Sequence, residues 1–375
     1  MRLAAGSLLL ASLCTAAAPV GIAHPRPGAA QAWSQVTPRA VLLRTAEQAL
    51  AAGPFSVMDK PRVPPGGDKH DFLSLAPYWW PDPSKPGGLP YIRRDGEVNP
   101  ESKQGTDDVP LGRMTGAVTA LAAAYRETKE ERFAARAALL LRVWFLDAAT
   151  RMNPNLDYGQ GVPGRSAGRG AGIIATRSLV EIVEAVRALE ASPSWTPADR
   201  QGFRAWCAAY AGWLKTSRNG REEAAADNNH GTWYDAQLIA LLLHTGARDE
   251  AKARAEGAKR RIASQIEPDG RQPRELARTR SWSYSVMNLH GWFAVATLAQ
   301  QAGVDLWHYR TADGRSLRAA LDYLVPFARG GASWPHQQIA PIDNAGLVGL
   351  LDRAAPVWKN DQYRALADAL RPAAR

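Results

Sequence analysis

The sequence predicts an all-α protein, an (α/α) toroid or barrel of inner and outer antiparallel helices with a long irregular N-terminal loop. Three observations carry this expectation. Ten stretches place apolar residues at i, i+3, i+4 and i+7, the spacing that lines one side of a helix. Strand-like alternation is almost absent. Some stretches, such as those holding Leu238 to Leu243 and Trp292 to Leu298, are apolar on more than one face, whereas ARDEAKARAEGAKRR (247–261) is charged nearly all round. The first kind belongs in an inner layer and the second in an outer one.

The chain opens with MRLAAGSLLLASLCTAAAPVGIA (1–23), one arginine, an apolar run and small residues in Ala-x-Ala patterns. That is the pattern of a secretory signal, too short to span a bilayer. The mature chain, 24–375, is then expected in the periplasm or outside the cell as one (α/α)-barrel domain. No later stretch approaches the run of about 18 apolar residues that membrane insertion requires. Of the two cysteines, Cys14 falls in the signal and Cys207 on an apolar helical stretch, so a disulfide framework and a Cys-rich zinc site are both excluded. Cys207 reads as an inert buried thiol.

Helices are expected over 36–52, 111–127, 132–150, 173–191, 197–216, 231–245, 247–266, 282–302, 316–329 and 361–370. Thr196-Pro197 supplies a cap and a first-turn proline, and Gly246 and Gly303 stand where helices end. Two regions break the pattern. Residues 54–110 form a long loop rich in Pro, Gly, Trp and Tyr, and loops of that length in compact proteins are usually functional. Residues 153–172 are dense in glycine. No repeat of fixed period is present.

Lys and Arg outnumber Asp and Glu 46 to 36, a net charge of +10 that favours anionic partners. Export argues against nucleic acid and leaves an anionic polymer as the expected partner. Gly159, Gly161 and Gly164 match a dinucleotide fingerprint in spacing, but Pro163 sits inside it and no strand is expected before it. A glycine-rich loop whose N–H groups, with Arg165 and Arg169, approach an anion is the alternative to a plain turn.

Three further clusters carry chemistry. Tyr78-Trp79-Trp80-Pro81, followed by Tyr91, Arg93 and Arg94, offers aromatic faces for sugar rings and forks for carboxylates, or else a plug for the barrel end. His70 and Asp71 just before it read as loop anchors. Asn228, Asn229 and His230 open an apolar helix, where the positive end of the helix dipole disfavours an imidazolium and so suits a neutral histidine base. Glu275, Arg278, Arg280 and Tyr284 open another. Two arginines beside Tyr284 are expected to lower its pKa; the bland alternative is a buried tyrosine with the arginines paired to Glu275. An antiparallel helix pair between the two clusters brings both helix mouths to one face. His290 lies two turns inside its helix and reads as core or as support for the site. No HExxH, Walker loop, GxSxG or CxxC occurs.

The segments HDFLSLAPYWWPDPSKPGGLPYIRRDGEVNPES (70–102), YGQGVPGRSAGR (158–169), NNHGTWYD (228–235) and RTRSWSYSVMNL (278–289) resemble the alginate lyase superfamily of helical-toroid polysaccharide lyases. The resemblance spans about residues 55–350 and is nearest polysaccharide lyase family thirty-eight, with family five more distant. It implies an (α/α) barrel and β-elimination on 4-linked uronic-acid polymers, alginate first and glucuronan second, without metal or cofactor. The family pattern places its catalytic amide and imidazole on Asn229 and His230, its tyrosine on Tyr284 and its carboxylate-neutralising arginine on Arg278. Arg280 is the alternative, because the spacing from Arg278 to Tyr284 is one residue shorter than in family five. Substrate-binding roles fall on Trp79, Trp80, Arg93, Arg94, Gln160, Arg165, Arg280 and Asn228. A glycoside hydrolase of similar fold, with a carboxylate pair, and a noncatalytic glycan-binding protein are the competing classes.

Overall fold

The computed structural model describes residues 39–329 and 332–371; the expected signal segment lies outside them. Among the described residues thirteen α-helices follow in order: α1 (Arg39–Leu50), α2 (Asp108–Thr128), α3 (Glu131–Phe145), α4 (Leu179–Leu189), α5 (Pro197–Thr216), α6 (Arg218–Ala224), α7 (Asn229–Thr245), α8 (Arg248–Gln265), α9 (Pro273–Leu276), α10 (Ser281–Gln301), α11 (Leu317–Ala328), α12 (Ala345–Val357) and α13 (Asp361–Leu370). The inner layer runs through α2, α4, α7, α10 and α12 as neighbours, and α3, α5, α8, α11 and α13 pack outside it. Burial follows the sequence pattern. Most residues of α7 and α10 are buried, whereas the charged α8 buries Ala251, Ala255, Ala258, Ile262 and Gln265 on a single stripe. Each fully buried large apolar side chain, such as Trp292 or Phe293 of α10, contributes on the order of 2 kcal/mol.

Local chemistry sets the helix ends. Thr196 and Asp199 form a reciprocal capping box at the start of α5, behind Pro197. Asn228 caps α7, its side chain accepting from the N–H of His230, and Gly246 ends α7 at φ 86°, a left-handed value that glycine adopts without strain. Gly291 of α10 packs on Thr232 and Trp233 near the start of α7, and Gln301 and Leu243 near their far ends line one cavity. The two inner helices therefore run parallel, with α8 as the return, and both N-termini open at the same end of the ring.

The structure differs from the sequence expectation in several places. The stretch expected as one helix over 173–191 begins as a 3₁₀ turn, Gly170–Thr176, before α4, and the helix expected to reach 150 ends at Phe145. Helices α6, α9 and α12 were not foreseen. Four short strands occur among the described residues: β1 (Leu73–Leu75), β2 (Trp79–Trp80), β3 (Ile92–Arg93) and β4 (Tyr158–Gly161). Parallel pairing of β1 with β4 ties the long loop to the glycine-rich segment, and antiparallel pairing sets Trp79 opposite Arg93. Glycine in the 3₁₀ turn allows close backbone approach to β4: a Cβ on Gly172 would stand 2.2 Å from the carbonyl oxygen of Gly159. No described helix is long and apolar enough to cross a membrane.

Candidate active site

The mouth of the inner ring gathers groups from several segments of the chain. At the start of α7, His230 is about one-fifth exposed, and its Nδ1 lies 2.7 Å from Oε1 of the buried Glu223 on α6. Asn229 beside it is fully buried. Glu275 of α9 accepts from the backbone N–H of Asn229 at 2.7 Å and from its Nδ2 at 2.8 Å. Burial raises the pKa of Glu275, partly offset by these two bonds and by the positive charge of Arg278 nearby. Glu275 therefore stands between the two helix mouths.

On the far side, Arg278 precedes α10. Its Nη2 donates to the hydroxyl of Tyr284 at 2.8 Å, and its guanidinium centre lies 3.8 Å from that ring's centroid. The same guanidinium holds Asp95 from the long loop through Nε at 3.0 Å and Nη2 at 2.6 Å. Burial would raise the pKa of Asp95, but Arg278 and Thr279 outweigh it and hold the carboxyl well below the usual range. The Tyr284 hydroxyl in turn donates to Tyr78 at 2.7 Å. Here the structure corrects an expectation drawn from sequence. The Tyr284 pKa is raised, not lowered, because burial and the adjacent Tyr78 outweigh the pull of Arg278. Tyr284 is a neutral phenol, a proton donor in the resting site.

The wall between these groups is cationic and aromatic. Arg165 and Arg169 lie over the ring of Trp79, at 5.2 and 6.0 Å from its centroid. Arg169 donates to Oε1 of Gln160 at 2.7 Å, and its own pKa is lowered by burial and by the like charge of Arg93. Gln160 sits at φ 50°, a left-handed conformation that a non-glycine residue adopts at a cost of about 1 kcal/mol. Arg93 bonds Asp95 at 2.7 Å, which joins this wall to Arg278.

Trp79, Arg93, Gln160, Arg165, Asn228, Asn229, His230, Arg278 and Tyr284 thus form one linked set. Trp80 and Arg94 pack instead on each other at 5.2 Å, with the Trp80 indole donating to the Glu97 carbonyl. Arg280 touches Tyr284 only through the backbone: its carbonyl accepts from the Tyr284 N–H, while its residue bridges to Gln338 and its Nε has no partner. Of the two arginines, the one at the phenol is Arg278. His70 and Asp71 anchor their loop as expected, through the Arg151 carbonyl and through Asn153 and Asn155. His290 and Cys207 lie in the core.

Sequence reasoning did not assign Tyr78, Asp95, Arg177 or Glu223. Arg177, just before α4, is half-buried within electrostatic reach of Tyr78 and Tyr284, and desolvation lowers its pKa. Tyr78 stood in a recognised aromatic cluster; for Asp95 and Glu223 no local pattern gave a signal.

A ring of inner and outer helices with an imidazole, a guanidinium and a phenol gathered at the inner-helix termini places the chain among the helical-toroid proteins. The family model described as alginate lyase matches residues 56–334, and the chain belongs to that family. A crystal structure of an alginate lyase from Bacteroides ovatus is 42% identical, with a TM-score of 0.86 over 89% of this chain and 90% of that one. The crystal structure of alginate lyase A1-III from Sphingomonas species A1 is 17% identical, with a TM-score of 0.56 over 86% of this chain and 88% of that one. A substituted variant of that enzyme complexed with a tetrasaccharide gives the same identity and TM-score, over 88% and 89%; at this identity the likeness concerns the fold. No curated protein matches the chain.

Proposed function

We propose that this protein is a polysaccharide lyase that cleaves 4-linked uronic-acid polymers, alginate foremost and glucuronan next, by β-elimination. The observation that supports the reading is Glu275, hydrogen-bonded to Asn229 and within electrostatic reach of both His230 and Arg278, the latter bonded to Tyr284.

The C5 proton of a uronate is hard to remove while its carboxylate is ionised. Arg278 masks that charge, with the second amide hydrogen of Asn229 beside it, as negative charge develops on the acid. A base then takes the C5 proton, the C–H electron pair becomes the C4=C5 double bond, and the C4–O4 bond breaks. The leaving oxygen takes the proton of Tyr284. In guluronate, H5 and O4 lie on opposite faces, so His230 is the base and Tyr284 the acid; proton exchange with water restores both. In mannuronate and glucuronate they share a face, and Tyr284 serves as both. Trp79, Arg93, Gln160 and Arg165 line the approach, with Trp80, Arg94, Asn228 and Arg280 at its margins. The excess of positive charge suits capture of a polyanion. Residues 1–23 support export to the periplasm or beyond, and 24–375 are read as one domain.

The test is incubation of the mature protein with poly-mannuronate, poly-guluronate and glucuronan, following ultraviolet absorbance of unsaturated ends and chain length. Unsaturated product on at least one polymer is expected. Chain shortening with saturated ends would indicate a hydrolase, and binding without product would leave only a glycan-binding protein.

A further inference from the structure

We infer that Glu223 is a positioning residue for the elimination, holding His230 in the tautomer that carries its proton on Nδ1 and leaves Nε2 as the acceptor. The inference rests on the reading of His230 as a base.

The sequence builds this contact through a short detour in the chain. α6 follows α5 with no intervening loop, capped by Ser217. It can fold back only because residue 220 is glycine, since a Cβ there would stand 1.9 Å from the Leu214 carbonyl oxygen. That fold-back sets Glu223 beneath the first turn of α7, with its carboxylate 2.7 Å from His230 Nδ1 and its side chain 3% exposed. Nδ1 must be the donor in this bond, because a carboxylate only accepts.

Stability does not account for the arrangement. Removing a carboxylate from water costs several kcal/mol, and a single hydrogen bond to a partly exposed imidazole returns little of it. Arg169 lies within electrostatic reach but makes its hydrogen bonds to Gln160, not to Glu223. The other imidazole nitrogen is left in reserve. Nε2 of His230 has no hydrogen-bond partner among the described residues, yet it is not among the atoms sealed from solvent. A buried anion on one nitrogen and an open lone pair on the other is the division of labour that a histidine base requires. When Nε2 takes the C5 proton, the imidazolium forms against the Glu223 carboxylate, and the bond becomes charge-assisted at the step where it is needed.

The test compares Glu223→Gln with the parent protein on poly-guluronate and records nitrogen-15 NMR of labelled histidine. The His230 signal is identified by its loss in His230→Ala. Glutamine keeps the size but can donate to Nδ1, which moves the ring proton to Nε2. The expected result is a fall in kcat of at least about 100-fold with KM within about threefold, together with that tautomer change. Activity within threefold of the parent, or a large loss with the Nδ1–H tautomer intact, overturns the inference. Should Glu223→Gln fail to fold, the parent protein alone decides: a His230 proton on Nε2 overturns the inference, and one on Nδ1 sustains it. If His230→Ala is itself fully active, the reading of His230 has failed. If His230→Ala is inactive while Glu223→Gln is unimpaired, only the role of Glu223 falls.

Discussion

Replacing Tyr284 by phenylalanine removes one oxygen atom from the centre of the site, and the structure sets the size of both consequences. The hydroxyl accepts from Arg278 at 2.8 Å and donates to Tyr78 at 2.7 Å. Arg278 keeps its bonds to Asp95 and the ring beneath it, so no charge is left without a partner. The stability cost is therefore that of ordinary hydrogen bonds, about 1 kcal/mol, or a fall in Tm of about 1–3 °C for a chain of this size. Activity should suffer far more. Without its proton donor the leaving oxygen departs as an alkoxide, and loss of a general acid costs about 10²–10⁴ in rate, or about 3–5 kcal/mol at 1.36 kcal/mol per decade. The assay is the initial rate of unsaturated uronate formation on poly-mannuronate and poly-guluronate, beside a thermal melt of the same sample. Tyr78→Phe serves as the control: it leaves the Arg278–Tyr284 bond in place and is expected to cost about tenfold or less. A Tyr284→Phe protein within threefold of the parent on both polymers, or a Tyr78→Phe protein that loses more, would show that the proton comes from elsewhere.

Two other predictions concern stability. Lys60 lies fully buried against Asp107 at 3.1 Å, so Lys60→Met strands a buried carboxylate and should lower the unfolding free energy by about 3–5 kcal/mol in urea at pH 7. Burial already raises Asp107 to about 6 despite Lys60, so the deficit should shrink as the pH falls and the carboxyl protonates; an equal deficit at pH 5 would contradict this. His290, whose Nε2 bonds the Gly346 carbonyl at 2.9 Å, is held by burial at about 4, below its ordinary 6.5. A histidine depressed on folding stabilises above 6.5 and loses that contribution as the pH falls towards 4, about 3 kcal/mol at 1.36 kcal/mol per pH unit. His290→Gln should flatten that part of the urea-derived pH profile, and an unchanged profile would assign the acid sensitivity to other groups.

The fold was legible because burial on one stripe leaves a period in the sequence, and α5, α7, α8 and α10 fall where that period placed them. α12, with Gly346, Gly349 and Pro356 inside it, was not among the expected helices. Gly346 is a packing device: a Cβ there would come within 2.9 Å of Val286, so the bare backbone lets α12 rest on α10. In the site, His230, Asn229, Arg278 and Tyr284 stood out because each sits at the start of a helix with polar neighbours in sequence. Their partners did not. Asp95 is 183 residues from Arg278, and Glu223 reaches His230 only through the turn between α6 and α7. The pKa of Tyr284 was misjudged for the same reason. The sequence displays the arginines beside it, but neither the burial nor the second phenol that outweighs them.

The raised pKa of Tyr284 leads to a last consequence, for which polymer is cleaved at which pH. Opposite-face elimination on guluronate uses groups as the resting site holds them: an unpartnered Nε2 to take the C5 proton and a protonated Tyr284 to give one. Same-face elimination on mannuronate needs Tyr284 to accept the C5 proton, so the phenol must first lose its own. Its pKa is raised by burial and by Tyr78, so across pH 7–10 the phenolate is a small fraction that grows about tenfold per pH unit. The kcat on poly-mannuronate should therefore climb with a slope near one decade per pH unit, while kcat on poly-guluronate stays comparatively flat. Substrate in the site lowers the absolute barrier through the proximity of Arg278 without removing the slope. Two parallel profiles on the two polymers would mean that a single base serves both, and the most economical single base would then be His230.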